Sequence, residues 1–199
     1  MTNERLKYLV DEIANNNDQV AFDEFYNHFF PGLFSYSVSI TKDQLTSEEL
    51  IEDVFLRIWE NRTVLPSLKS ISHYLYVSVK NSCLKYLHSK AYRFNKNKID
   101  FDIIDEGQLY SYVTPDNNII SNEIINQINT LLSKLPPKRL LIFRLIKEEG
   151  LKYREVAEIL DVSIKTVETQ MSFAFKQIYE IFESDLPEFK SYIQASRKK

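Results

Sequence analysis

Between Asn61 and Ile99 the chain carries eight bases (Arg62, Lys69, Lys80, Lys85, Lys90, Arg93, Lys96, Lys98) and no acid. Over residues 73–93 these bases alternate with rings: Tyr74, Tyr76, Tyr86 and Tyr92. Cations neutralise phosphates and aromatic faces stack on unpaired bases, the pairing of devices used to hold single-stranded nucleic acid. Asn81 can donate and accept at once, which suits a base edge. The competing reading is a solvated basic helix whose tyrosines belong to the core. That reading is natural for any one tyrosine. It is harder to sustain for the block, because eight like charges without an acid repel one another.

A second constellation lies in Tyr153-Arg-Glu-Val-Ala157-Glu-Ile-Leu160-Asp161-Val-Ser163-Ile164-Lys-Thr-Val167, which has helix-turn-helix spacing. Ala157 supplies the small residue where two helices cross. Asp161-Val-Ser163 supplies the turn, with Ser163 free to cap the second helix. Val156, Leu160, Val162, Val167, Met171, Ala174 and Ile178 form the expected buried side. Lys165, Thr166, Glu168, Thr169, Gln170, Ser172 and Lys176 then point outward, and such amides, hydroxyls and cations suit a major groove. Asp161 stands where such turns favour Gly; the turn needs a left-handed backbone, which Asp tolerates better than most residues. Spacing alone leaves an ordinary helical hairpin with a solvated face as an equal alternative.

Other chemistry is poorly served. His28, His73 and His88 share no ligand-like spacing, and Cys83 lies among apolar neighbours, as a small core residue would. A single cysteine excludes an internal disulfide and a cysteine-based zinc cage. The pairs Glu48-Glu49 and Glu148-Glu149 read as exposed faces. There are 3 glycines where average usage of about 7% would give roughly 14, and neither GxGxxG nor GxxxxGK[ST] occurs. No nucleophile, metal site or phosphate loop assembles, so no enzyme and no cofactor is expected. No apolar run approaches the ~18 residues of a membrane span, and Met1-Thr-Asn-Glu-Arg opens no signal peptide; the expected compartment is the cytoplasm, without membrane insertion.

The net charge of −3 conceals a strong segregation. Residues 1–60 carry 4 bases and 12 acids, residues 100–133 carry 6 acids and no base, and residues 134–199 carry 13 bases and 10 acids. The basic block is therefore set between two acidic ones, which says more about partners than the sum does.

The elements that must position these residues read at helical period almost throughout. Ala21, Phe22, Phe25, Tyr26 and Phe29 form one apolar stripe, interrupted at Pro31-Gly32, with a second helix starting at Leu33. Thr46-Ser-Glu-Glu49 fits a capping box ahead of Leu50, Ile51, Val54, Phe55, Ile58 and Trp59. Pro66 stops the chain, and a further helix runs from about 70 to 88 or beyond. Residues 121–135, 138–149, 152–160 and 164–182 read as helices, with Gly150 as a stop. The expected fold is all-α: two small helical domains, residues 1–94 and 121–183, joined by an acidic linker at 95–120 and followed by a flexible tail at 184–199. The second domain is a helix-turn-helix.

The order of these pieces resembles the extracytoplasmic-function (ECF) sigma factors, small two-domain members of the sigma-70 family that direct bacterial RNA polymerase to promoters. Ser47-Glu-Glu-Leu-Ile-Glu-Asp53-Val-Phe-Leu-Arg-Ile-Trp59-Glu-Asn looks like the family's polymerase-binding helix. Ile71-Ser-His-Tyr-Leu-Tyr-Val-Ser-Val-Lys-Asn81 looks like its segment for melting the promoter and reading the −10 box. Leu131-Leu-Ser-Lys-Leu-Pro136-Pro137, then Gly150-Leu-Lys-Tyr-Arg-Glu-Val-Ala157 and Thr166-Val-Glu168, look like the domain that reads the −35 box. The resemblance covers roughly 20–93 and 121–182, most of the chain.

It implies roles at matched positions. Glu52, Asp53, Leu56, Arg57, Trp59 and Glu60 would bind core polymerase. Ser67, Lys69, Tyr74, Tyr76, Lys80, Asn81, Lys85, His88, Lys90 and Arg93 would hold the opened −10 DNA, with the loop 64–70 cradling a flipped base. Arg154, Ser163, Lys165, Thr166, Glu168, Thr169, Gln170 and Lys176 would contact the −35 box. The implied partners are bacterial core RNA polymerase, promoter DNA and, as commonly in the family, an anti-sigma factor. Glu52 replaces a usual Gln, and Lys85 and His88 replace a common Asp and Arg, changes that bear on affinity and on −10 preference. Two rivals stay open: an autonomous helix-turn-helix regulator, against which no dimerisation segment is found, and a helical interaction protein that touches no DNA, against which the acid-free block stands.

Overall fold

The computed structural model describes residues 1–94, 129–130 and 132–185. It divides into two compact units, one within residues 1–112 and one within 113–199. Among the described residues all regular structure is helical. The expected linker at 95–120, most of the helix expected at 121–135, and the tail from 186 onward lie outside the described residues.

The first unit begins with α1 (Asn3–Asn16), capped by Thr2, whose side chain accepts from Arg5 N. Asn17 ends it in the left-handed conformation at φ 55°, and Asp18 at once caps α2 (Gln19–Thr41), accepting from the amides of Val20 and Ala21. A left-handed Asn followed by Asp makes a stop and a start in two residues, since both tolerate or supply what the backbone lacks there.

One helix, α2, runs 23 residues straight through Pro31-Gly32, where the sequence suggested a break. Proline removes one hydrogen bond. Against that loss, Tyr26 stacks on Phe30 at 5.1 Å and Phe30 on Phe34 at 5.6 Å, an aromatic row that spans the proline. Tertiary packing decides the matter: Phe25, Phe29 and Leu33 are fully buried on either side of it.

Next comes α3 (Gln44–Glu60). Its cap is Asp43, which accepts from Thr46 N at 2.7 Å, not Thr46 as the capping-box pattern suggested. Thr46 instead donates its hydroxyl to Tyr86 Oη at 3.3 Å, tying the helix start to α4 (Ile71–Phe94). Both residues are good caps, and the aspartate three positions earlier wins because it extends the helix. A short 3-10 helix, Arg62–Ser67, buries Leu65 and packs on α1.

Between α2 and α4 the core is partly polar. Tyr36 and Tyr76, both buried, face each other at 5.4 Å, and the Ser37 hydroxyl lies 3.2 Å from Cys83 Sγ. Where α2 meets α3 the Thr41 and Ser47 hydroxyls lie 2.7 Å apart, so buried polar groups find one another. Burial pushes the Tyr36 phenol and the Cys83 thiol above their ordinary values, keeping both neutral.

The second unit contains α5 (Pro137–Lys147), α6 (Tyr153–Leu160) and α7 (Ile164–Asp185). Pro136-Pro137 opens α5, proline being suited to a first helical position. That helix ends at Lys147, two residues before the expected limit, and Gly150 takes a left-handed φ of 68° just beyond it. Leu141, Leu145, Val156, Ile159, Leu160, Val167, Met171 and Ala174 close the core.

Candidate nucleic-acid interface

In the turn between α6 and α7, Asp161 holds φ 53°, and Val162 N donates to Ala157 O at 3.0 Å. Ser163 caps α7 by accepting from Thr166 N at 3.0 Å, while its hydroxyl meets that of Thr166 at 2.8 Å. Ala157 and Val167 are buried where the helices cross, as the spacing predicts. Val162 and Ile178, expected inside, are half-buried. The outward residues form a connected set. Lys165 Nζ pairs with Glu168 at 3.3 Å, and Thr169 donates to the Lys165 carbonyl at 2.8 Å. Arg154, Ser163, Lys165, Glu168 and Lys176 are exposed; Thr166, Thr169 and Gln170 are half-buried. Lys176 also lies 3.9 Å from Glu180.

The sequence reading passed over one residue of this unit. Arg139 on α5 donates from Nε to Gln170 Oε1 at 3.3 Å and from Nη1 to Gln177 Oε1 at 2.5 Å. Its guanidinium lies 5.3 Å from the centre of the Phe173 ring. Gln170, Phe173 and Gln177 recur at i, i+3 and i+7, a helical stripe facing α5. That spacing, set against a lone Arg after Pro136-Pro137, was the available signal.

In the first unit, Tyr74, Asn81, Lys85 and His88 fall on one side of α4, at i, i+7, i+11 and i+14, and all four are exposed. Among the described residues no side-chain hydrogen bond or ion pair involves Asn81, Lys85 or His88, whose side chains are exposed. Lys80 is half-buried, and Ser67 and Lys69 are exposed at the turn before α4. Ser67 donates to the Val64 carbonyl at 2.6 Å, which tightens that turn.

Tyr76 departs from expectation: at 2% exposure it is a core residue packed on Tyr36 and cannot stack on a base. The 3.6-residue period explains this, because Tyr76 falls with Leu75 and Val79 on the buried side, whereas Tyr74 falls opposite. The side chains of Lys90 and Arg93 lie outside the described residues.

Along α3, Glu52, Asp53, Leu56, Arg57 and Glu60 share one exposed face, with Leu56 57% exposed among the acids. Arg57 Nη2 donates to Ser82 Oγ at 2.9 Å, bridging α3 to α4. Trp59 sits at the edge of that face and is half-buried. Its ring meets Phe22 at 4.9 Å, and the Arg62 guanidinium lies over it at 4.8 Å. Trp59 is thus engaged in packing within this unit.

Two family models match the chain: Sigma-70 region 2 over residues 25–102 and Sigma-70, region 4 over residues 125–178. The first covers α3 and α4, the second the helix-turn-helix. The chain belongs to the sigma-70 family, in its extracytoplasmic-function branch. It is a sigma factor, the class of protein that binds core RNA polymerase and directs it to promoter DNA. Similar relatives include the ECF RNA polymerase sigma factor SigK of Mycobacterium tuberculosis (strain H37Rv) and of Mycobacterium bovis (strain BCG Pasteur), each 22% identical over 182 residues, which is 87% of this chain and 91% of theirs. A solved structure of CnrH in complex with the cytosolic domain of CnrY aligns with TM-score 0.45 and 16% identity, covering 91% of this sigma factor and 99% of that chain. Among the described residues no helix is long and apolar enough to cross a membrane, and no three metal-binding side chains cluster.

Proposed function

We propose that three faces divide the work of this sigma factor. The acidic face of α3, built from Glu52, Asp53, Leu56, Arg57 and Glu60 with Trp59 at its edge, docks on core polymerase. Tyr74, Lys80, Asn81, Lys85 and His88 on α4, with Ser67 and Lys69 before it and Lys90 and Arg93 beyond, hold the opened −10 strand. Residues of α7 (Lys165, Thr166, Glu168, Thr169, Gln170 and Lys176), with Ser163 and Arg154, contact the −35 duplex. The residue ranges 1–94, 95–120, 121–183 and 184–199 correspond in this reading to a −10 domain, an acidic linker, a −35 domain and a tail. The protein acts by recognition, with no catalysis of its own, in the cytoplasm where polymerase works. An anti-sigma partner belongs to the same proposal, on the strength of the resemblance alone.

One observation carries the assignment: the exposed stripe of Tyr74, Asn81, Lys85 and His88, in a segment without a single acid, in the same chain as a capped helix-turn-helix. An autonomous regulator would need the second feature and not the first. Run-off transcription with bacterial core polymerase on a randomised-promoter pool tests it. Start sites that depend on the protein and share two spaced boxes are expected. Specific DNA binding without polymerase, and no initiation with it, would instead establish the autonomous regulator.

A further inference from the structure

The hydrogen bonds around Arg139 have a fixed polarity. A guanidinium can only donate and a backbone carbonyl can only accept, whereas a glutamine amide can do either. Gln177 Nε2 donates to the Lys134 carbonyl at 3.2 Å, which turns Gln177 Oε1 toward Arg139. Arg139 Nη1 donates to that oxygen at 2.5 Å, and its Nε donates to Gln170 Oε1 at 3.3 Å. The guanidinium is held between the two amides and over the Phe173 ring. From Lys134 to Gln170 every group has one permitted orientation. The Gln170 carbonyl is turned in toward α5, and its NH2 group is the part left to face outward.

That orientation matters for what Gln170 can read. Free glutamine recognises adenine by a two-point contact in which its Oε1 accepts from N6 and its Nε2 donates to N7. With Oε1 engaged by Arg139, the amide plane is fixed and the outward group is a pair of donors. The major-groove edge that best matches donors is guanine, whose N7 and O6 are both acceptors; cytosine, which offers a donor, is the worst match.

We propose that Arg139 is a positioning residue that sets base preference through Gln170, making it a donor that selects guanine at one position of the −35 box. Lys134 and Gln177 hold Arg139 in place, and removing Arg139 releases the Gln170 amide to make its two-point contact with adenine. This rests on the reading that α7 contacts the −35 duplex.

The test is promoter selection by the full-length protein assembled with bacterial core polymerase, on templates randomised across the upstream box. The wild type is expected to enrich guanine at one position, and Gln170→Ala to flatten that position alone. Arg139→Met is expected to move the same position from guanine toward adenine, by roughly 5- to 150-fold in relative use, the span of one good base contact. Other positions should keep their preference, and the Arg139→Met/Gln170→Ala double variant should behave as Gln170→Ala. Should Arg139→Met fail to fold, Arg139→Lys keeps the charge but lacks the fork that grips both amides. It is expected to shift preference in the same direction by a smaller factor. A uniform loss of initiation with unchanged base preference would overturn the proposal and leave Arg139 a structural residue. Adenine enrichment by the wild type would overturn it as well. Initiation that ignores the upstream box altogether would sink both this proposal and the −35 reading beneath it.

Discussion

The two long helices that carry the candidate DNA faces, α4 with 24 residues and α7 with 22, solve their tasks differently. On α7 the outward side chains are engaged with one another before any ligand arrives: Lys165 with Glu168, Ser163 with Thr166, Gln170 with Arg139. On α4, Asn81, Lys85 and His88 stand without side-chain partners among the described residues. A duplex offers a groove of fixed shape, so a reader arranged in advance loses little freedom on binding. An opened strand has no such shape, and it is held by stacking and charge, which tolerate adjustable side chains. The organisation of each surface therefore follows the rigidity of what it is proposed to hold.

The sharpest way to break this comparison is to exchange roles within α4. Tyr74 and Tyr76 are two residues apart, yet one is 40% exposed and the other 2%. Tyr76→Ala removes half of the Tyr36–Tyr76 pair and should lower stability by about 3–5 kcal/mol, as other large-to-small aromatic truncations in cores do. Tyr74→Ala should change stability by no more than about 0.5 kcal/mol while weakening −10 strand binding. Denaturant unfolding of the two variants, beside their binding to a single-stranded −10 oligonucleotide in holoenzyme, separates the roles. A large stability loss from Tyr74→Ala would mean that α4 has no dedicated reading face.

That pair also marks the limit of what the sequence made legible. Alternation of bases and rings suggests a strand-binding segment, but composition does not say which ring points where. Helical phase does, once Leu75 and Val79 fix the buried side. The helix-turn-helix was legible almost residue by residue, down to the left-handed Asp161 and the Ser163 cap, because each position answers a local backbone need. What escaped depended on contacts distant in sequence. The continuity of α2 across Pro31 goes with tertiary packing on either side of it: Phe25 and Tyr26 both meet Phe55 of α3, at 6.2 and 4.6 Å. The cap at Asp43 competes with Thr46, whose hydroxyl is drawn to Tyr86, 40 residues away. The Arg139–Gln170 bond spans 31 residues, and its one trace in the sequence is the Gln170, Phe173, Gln177 spacing, which names no partner.

A second comparison sets one lysine on each helix side by side. Lys85 is exposed on α4, and Lys165 on α7 is 84% exposed despite its ion pair with Glu168. Each alanine variant should reduce the salt dependence of promoter binding by about one phosphate contact, a slope change of roughly 0.7 for a single strand and 0.9 for duplex. The distinction lies in the template. On a forked probe that keeps the opened −10 strand but lacks the −35 duplex, the Lys165→Ala defect should vanish and the Lys85→Ala defect should persist. Equal defects for both variants on both probes would show that the two helices share one electrostatic surface.

The smallest expected effect tests where the pre-arrangement of α7 originates. Asp161 sits at φ 53°, a conformation that disfavours a Cβ atom and that glycine adopts freely. Asp161→Gly relieves that strain but also gives the unfolded chain more freedom to lose, so the two effects nearly offset. A net stabilisation of about 0.5 kcal/mol is expected, a rise of a few degrees at most in calorimetric unfolding. Asp161→Val, with a branched Cβ in the same conformation, should destabilise instead, by about 1–2 kcal/mol. Base preference at the −35 box should be the same for the wild type and Asp161→Gly. If the side-chain network of α7 fixes what is read, easing the turn behind it leaves the reading intact. A changed preference would place the control in the angle of the turn, and α7 would then be arranged by its backbone rather than by Arg139 and its neighbours.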